Sequence, residues 1–249
     1  MIVVLMLFFS TAGSLFLKAP AQQINMAERL RPPSAEHWFG TDTLGRDLLA
    51  RVLAGGRISL GLGFSAGLLS TALALLTGLY GCVNRITEIL LFGFCDALRS
   101  IPALLLSIAL MTALGGSYVQ VIVVLTLCSI PVTARLVRSL VLVVREQPYI
   151  QAMKIQGAGP GRILFFHVLP NILSPLAAQF SFTCAQAMLI EGALSFLGAG
   201  IPPPQPSWGN ILQEGQTVMY SAPWMILFPG LCMALTIFGI NLLGDGLRR

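Results

Sequence analysis

The sequence predicts an all-α polytopic membrane protein with six transmembrane helices and no separate soluble domain. Three observations carry this. Hydrophobic residues make up 55% of the 249-residue chain and charged residues 10%, with a mean hydropathy of +0.81. Soluble domains carry roughly 25% charged residues, so much of this surface must have lipid as its solvent. The apolar runs approach or exceed the roughly 20 residues that a hydrocarbon core about 30 Å thick demands. They are continuous, without period-two alternation, which selects helices over a closed barrel. Lastly, Tyr149 to Asn171 is polar and glycine-punctuated between very apolar runs, the pattern of a membrane protein that presents a short helix to a partner in water.

The elements follow in order. Met1–Leu17 is apolar, lacks a basic leader, and offers only a poor cleavage site at Ser10-Thr11-Ala12. It reads as a first span whose native start lies further upstream. Lys18–Arg57 is a mixed-charge, turn-rich loop. The second span covers about Ile58–Val83. The third covers about Ile86–Ala113 and carries Asp96 and Arg99. Gly115-Gly116-Ser117 forms a tight turn into the fourth span, about Tyr118–Leu136, with Pro131 as an expected kink. The fifth covers about Ile172–Leu194, with Glu191 near its outer end, and the sixth about Pro223–Leu243. Between those two, Pro202-Pro203-Pro204 excludes a helix interior, leaving a loop with one short helix from Asn210 to Tyr220. The whole chain, 1–249, is one membrane domain. Its external loops are about 18–57 and 195–222, and its cytoplasmic loop is about 145–171.

Lysine and arginine near span ends set orientation. With the N-terminus inside, Arg85, Arg135, Arg138, Arg145, Lys154, Arg162, Arg248 and Arg249 all fall on the inner side. Loop 195–222 contains no Lys or Arg, whereas Lys18–Arg57, with six basic and four acidic residues, is placed outside. Both termini are then cytoplasmic. The net charge of +5 is spread thinly, and no basic block interleaved with aromatics points to nucleic acid. Cys82, Cys95, Cys128, Cys184 and Cys232 show no CxxC spacing and read as buried free thiols. The nine methionines are packing residues. His37 and His167 fall on opposite sides, which argues against a shared metal site.

The segment around position 150 is the one most charged with function. Pro148 suits the first turn of a helix, where its missing N–H is no loss. Ile150, Met153 and Lys154 share one face at i, i+3 and i+4, with Gln151 and Ala152 elsewhere on the surface. Gly157, Gly159, Pro160 and Gly161 break the helix. A second helix from Arg162 leads through Leu169-Pro170-Asn171 into the fifth span. The product is a short helix on a glycine hinge, rigidly joined to a membrane helix: a lever that transmits a partner's motion.

These residues resemble the EAA loop of the membrane subunits of ABC importers, whose pattern is EAA, three residues, G, nine residues, then I-x-L-P. Gln151-Ala152-Met153 stands at the triplet, Gly157 at the glycine, His167 at the isoleucine, and Leu169-Pro170 at the end. Gln151 and Met153 depart from the triplet. Phe39-Gly40-Thr41-Asp42, Gly45-Arg46-Asp47, Arg51 and Gly56-Arg57-Ile58-Ser59-Leu60 resemble the FGTDxxGRDxxxR…GxRxSL segment of the second permease subunit of dipeptide, oligopeptide and nickel importers. Ser195-Phe196-Leu197-Gly198 before Trp208-Gly209, and the tail Asn241–Arg248, add two further matches in order. The resemblance implies a type I ABC importer (MetI-like) fold and a multi-pass permease of a bacterial inner membrane that forms half of a translocation pathway. It also implies a second, dissimilar permease, two cytoplasmic ATPases docked on the two EAA loops, and an extracytoplasmic binding protein. The chain itself is then no enzyme. It has no GxxxxGK[ST] loop, so ATP and Mg belong to the partner subunits, and this chain needs no cofactor or metal of its own. Tyr149, Gln151, Ala152, Met153, Lys154, Gly157, His167, Leu169 and Pro170 become the ATPase-coupling residues. Ala35-Glu36-His37-Trp38 resembles the nickel type; the cargo stays open among peptides and metal chelates.

The other candidate residues admit more than one reading. Asp96 and Arg99, spaced i and i+3, pair with each other, meet the partner permease, or face the substrate path. Arg135 and Arg138 anchor the inner interface. Glu191 meets a substrate amine or metal, or is a hydrogen-bonded structural acid. Gly40, Thr41, Asp42, Gly45, Arg46, Asp47 and Trp208 brace the outer loop and contact a partner. An ion-gradient-driven secondary transporter is the alternative, but no paired repeat or midplane ionisable site supports it. An intramembrane enzyme lacks any HExxH or GxSxG motif.

Overall fold

The computed structural model describes residues 21–82 and 84–247. The first predicted span, Met1–Leu17, and the terminal arginines lie outside the described residues. Nine α-helices occupy the described residues: α1 Leu48–Gly81, α2 Arg85–Arg99, α3 Ala103–Leu114, α4 Tyr118–Arg145, α5 Pro148–Ile155, α6 Pro160–Ile163, α7 Leu169–Phe196, α8 Trp208–Gln216 and α9 Trp224–Leu247. A π-helical turn, Leu164–Val168, joins α6 to α7. Four helical segments are long and apolar enough to cross a membrane, with α6, the π turn and α7 running as one; α2 and α3 make a fifth if the bent pair is a single span.

Helix ends carry local signals. Asp47 caps α1 by accepting from Ala50 N at 2.8 Å, and Asn84 caps α2 by accepting from Thr87 N at 2.8 Å. Ser117 and Gln120 form a reciprocal capping box at the head of α4, and Ser207 caps α8.

Several boundaries differ from the sequence expectation. The second span starts at Leu48 instead of Ile58, because Asp47 nucleates the helix and Arg51 and Arg57 are carried inside it. The third predicted span is two helices bent by 93°. Pro102 lacks a donor N–H and drives the residue before it out of helical geometry. The fourth runs through Pro131 to Arg145, since ion pairs hold Arg135 and Arg138. The short helix between the fifth and sixth spans covers Trp208–Gln216, not Asn210–Tyr220, because Ser207 provides the cap. The fifth begins earlier, at Leu169, and the sixth continues to Leu247.

The helices pack around α1 and α7. Gly63 and Gly67 of α1 lie against Met188 and Cys184 of α7 with no room for a Cβ, so the two backbones approach closely, as small residues allow in membranes. Leu62, Val121, Val124, Leu125 and Leu194 fill the core among α1, α4 and α7. Leu68, Leu73 and Leu76 of α1 and Leu227, Leu231 and Phe238 of α9 stay exposed, giving apolar outer faces suited to lipid.

Candidate functional site

The predicted residues gather at opposite ends of α1. Arg51 stands near one end and Leu79 near the other. At 1.5 Å per residue they are about 42 Å apart, more than a hydrocarbon thickness.

At the first end the chain before α1 meets the short helix α8. Asp42, fully buried, accepts from Leu44 N and Arg46 N at 2.8 and 2.9 Å, closing the turn. Its Oδ2 also takes Arg46 Nε at 2.5 Å and an Arg51 guanidinium N–H at 2.7 Å. Both arginines then donate to Glu214 of α8, Arg46 at 2.9 Å and Arg51 at 2.5 and 2.8 Å. Two acids and two bases thus form a neutral, mostly buried clasp. Thr41 Oγ1 accepts from Arg31 N at 2.8 Å and donates to Glu28 O at 2.5 Å, while its carbonyl accepts from Trp224 Nε1 at 3.2 Å. Gly40 and Gly45 hold φ of +77° and +71°, and a Cβ at Gly45 would overlap Asn25 O. Asp47 also receives His37 Nδ1 at 2.8 Å, while His37 Nε2 lies 3.3 Å from Glu28. The hydrogen bond to Asp47 raises the His37 pKa above the ordinary imidazole value, against the opposing effect of partial burial. Trp208 Nε1 donates to Val52 O at 2.8 Å. A cleft of about 600 Å³ opens beside the clasp, lined by Arg46, Arg51, Gln213, Glu214 and the loop from Gly198 to Gln205.

Glu191 is not alone. It is fully buried, accepting from Ser59 Oγ at 3.1 Å and Ser195 Oγ at 2.8 Å. Ser59 Oγ itself accepts from Trp208 N at 3.2 Å, so this carboxylate joins α1, α7 and the head of α8.

Glu214 escaped the sequence reading. Its signal was present: it is the sole charged residue between Ser195 and Ala222, so a counter-charge had to come from the other loop.

At the opposite end, α5 turns one residue inward. Ile150 is fully buried, packed with Leu79, Val137, Val141, Ile163 and Ile172. Gln151, Ala152 and Lys154 are exposed, Met153 is half-buried, and Tyr149 and Ile155 are exposed. The helix ends in a Schellman arrangement. Ala158 N donates to Met153 O and Gly157 N to Lys154 O, both at 3.0 Å, with Gly157 at φ +82°. The following π turn places Phe165 and Phe166 outward, and Leu169 N closes it onto Leu164 O. Pro170 has no N–H for the carbonyl four residues back, and a widened turn relieves its ring. His167, half-buried, accepts through its carbonyl from Asn171 Nδ2 at 2.5 Å, and the same amide lies 3.3 Å from Tyr149 Oη. Arg145 donates to Cys82 O at 2.6 Å and accepts through its carbonyl from Gln151 Nε2 at 3.1 Å.

Asp96 and Arg99 do not pair with each other: Asp96 pairs with Arg135 of α4. Arg138 is bonded to Glu88 and lies 5.2 Å over the Phe92 ring, so Arg135 and Arg138 each have an acidic partner on α2. Among the described residues no group of three or more His, Cys, Asp or Glu is arranged to hold a metal.

Known proteins share this architecture. The family described as "Binding-protein-dependent transport system inner membrane component" matches residues 59–249. The chain is 41% identical over 230 residues to the dipeptide transport system permease protein DppC of Alkalihalophilus pseudofirmus, covering 91% of this chain and 75% of that one. It is 41% identical over 221 residues to the glutathione transport system permease protein GsiD of Pectobacterium atrosepticum, covering 87% and 72%. Its fold is similar to a chain from an inward-facing conformation of the MetNI methionine ABC transporter, with a TM-score of 0.68 at 21% identity, covering 80% of this chain and 94% of that one.

Proposed function

Since the chain belongs to the family of binding-protein-dependent transport system inner membrane components, we propose that it is the permease through which peptides enter the cell. It is a multi-pass membrane protein and a permease subunit of an ATP-driven importer. The peptide cargo follows the names borne by its relatives. In this reading α5 faces the cytoplasm, both termini lie on that side, and the clasp of Asp42, Arg46, Arg51 and Glu214 faces outward. Two ATPases supply ATP binding and hydrolysis. A second, dissimilar permease completes the passage, and an extracytoplasmic binding protein delivers cargo to the outer face.

The observation that carries the reading is the seating of α5. An isolated eight-residue helix is marginal in water, and here Ile150 anchors it on the inner ends of α1, α4 and α7. Its remaining surface stays open for a partner. A push on Gln151, Ala152 or Lys154 therefore reaches three spans through one side chain, and reaches α7 again through the continuous α6–π–α7 backbone. ATPase closure would draw such levers together and open the passage outward.

The test is uptake of a labelled dipeptide into proteoliposomes holding the full complex and binding protein. Uptake requires ATP and stops when the ATPases are omitted. Uptake driven by a proton or sodium gradient alone overturns the reading. Cysteine at position 152 crosslinks to an ATPase; crosslinking only from the external side reverses the topology.

A further inference from the structure

The cleft beside the clasp has no part in the lever. It holds about 600 Å³, within the roughly 300–1,000 Å³ of small-molecule sites. Arg46, Arg51 and Glu214 all line it, so its wall carries both signs of charge. The clasp is neutral, yet it does not use up its members. Arg46 donates through Nε to Asp42 and through Nη2 to Glu214; among the described residues its Nη1 donates to nothing. Glu214 Oε2 accepts from both arginines, whereas Oε1 accepts only from Arg51. A carboxylate oxygen can accept two bonds, so Oε1 keeps one lone pair. Arg46 and Glu214 are also the clasp members a solute can reach, with 12% and 29% of their side chains exposed. Arg51 and Asp42 are buried.

The loop from Gly198 to Gln205 supplies another part of the wall. Its Ile201 is buried, and its carbonyl accepts from Asn210 Nδ2 at 2.9 Å. The Ile201 N–H has no acceptor among the described residues. A buried N–H without a partner is rare, and this residue borders the cleft. Gln213 adds a side-chain amide to the same wall. The complementary solute has an anionic end for Arg46, a cationic end for Glu214 and an amide carbonyl for the Ile201 N–H. A short peptide with free termini has all three. We propose that this cleft binds such a zwitterionic peptide, its carboxylate at Arg46 and its ammonium at Glu214. The choice of peptides rests on the importer reading; the demand for both charges comes from the cleft.

The experiment uses the complete complex in nanodiscs, free of nucleotide and of binding protein. The probe is a photoreactive dipeptide of alanine and benzoylphenylalanine. Labelled residues are read by mass spectrometry, and affinity by competition with alanyl-phenylalanine. Labelling is expected within 198–205 and at 213. Amidating the competitor's C-terminus or acetylating its N-terminus should each weaken competition about tenfold or more, the worth of a charged hydrogen bond. Arg46→Lys keeps a charge beside Asp42 but loses the spare Nη. It should weaken the free dipeptide by a similar factor and leave the C-terminal amide unchanged, a selectivity that a merely loosened clasp would not produce. Labels lying outside the cleft, or equal competition by the doubly blocked dipeptide, overturn the proposal. If Arg46→Lys does not fold, the competitor series on the native complex decides. ATP-driven uptake of alanyl-phenylalanine is measured in proteoliposomes with the binding protein. If uptake is normal and the cleft is unlabelled, the peptide site alone fails; if uptake ignores ATP, the importer reading fails whatever the labels show.

Discussion

Ile150→Ala separates mechanical coupling from ATPase binding. Ile150 is the one buried side chain of α5, and it belongs to a buried apolar cluster that includes residues of α1, α4, α6 and α7. Truncation removes three buried carbons and leaves a gap among well-packed neighbours, a loss of about 3 kcal/mol. The exposed surface of Gln151, Ala152 and Lys154 is untouched. If α5 docks and undocks as a unit, that loss raises the undocked fraction by about a hundredfold, at roughly 1.4 kcal/mol per decade. The readouts are the number of ATP molecules hydrolysed per solute transported in proteoliposomes and amide exchange over residues 148–155. The variant is expected to bind its ATPases and hydrolyse ATP, with transport per ATP falling several-fold and exchange in α5 accelerating. A wild-type ratio together with wild-type protection would refute the view that force passes through this side chain.

Three further outcomes are expected. Arg51→Ala strands the buried Asp42 with only Arg46 as counter-charge; breaking such a pair costs about 3 kcal/mol, so the thermal midpoint of the purified complex falls by on the order of 6–12 °C. Glu214→Gln, which keeps one acceptor, falls less, and an unchanged midpoint for Arg51→Ala would sink the clasp. Gly157→Ala meets open space but must hold φ +82°, a strain of about 1 kcal/mol. Its coupling ratio should drop modestly while membrane insertion is normal, and full wild-type coupling would show that the Schellman turn is not needed. His37 has a raised pKa in the folded state, so its contribution is complete below the unfolded value and declines as pH rises through the folded one. Thermal midpoints recorded from about pH 6 to 9 should fall with pH more steeply for the native chain than for His37→Ala, and parallel curves would remove His37 from the account.

The end that carries α5 was legible because its signals are local. Pro148 at the first turn, Gly157 at the left-handed position and Pro170 in the next helix each act through their own backbone geometry, and all three stand where the spacing put them. Membrane-scale helices were legible for a similar reason, since an apolar run announces its solvent. The misses fall where charge sits inside a helix. Arg51 and Arg57 concealed the first ten residues of α1, and Arg135 and Arg138 the last nine of α4. A hydropathy window treats an arginine as an end, whereas a partner on another helix lets the helix continue. The bend at Pro102 was missed because the apolar run through it is unbroken.

By itself, the sequence determined that the chain lives in lipid, where its main breaks fall, and which short polar segment forms a separate helix between two spans. Each of these follows from a residue and its nearest neighbours along the chain. Only the tertiary structure decided which charged and polar side chains meet. Arg51 chose Glu214 from 163 positions away, Asp96 chose Arg135 over the nearer Arg99, and Glu191 found Ser59 on another helix. The partner of a charged side chain is whichever group packing brings within reach, and packing is a property of the folded whole.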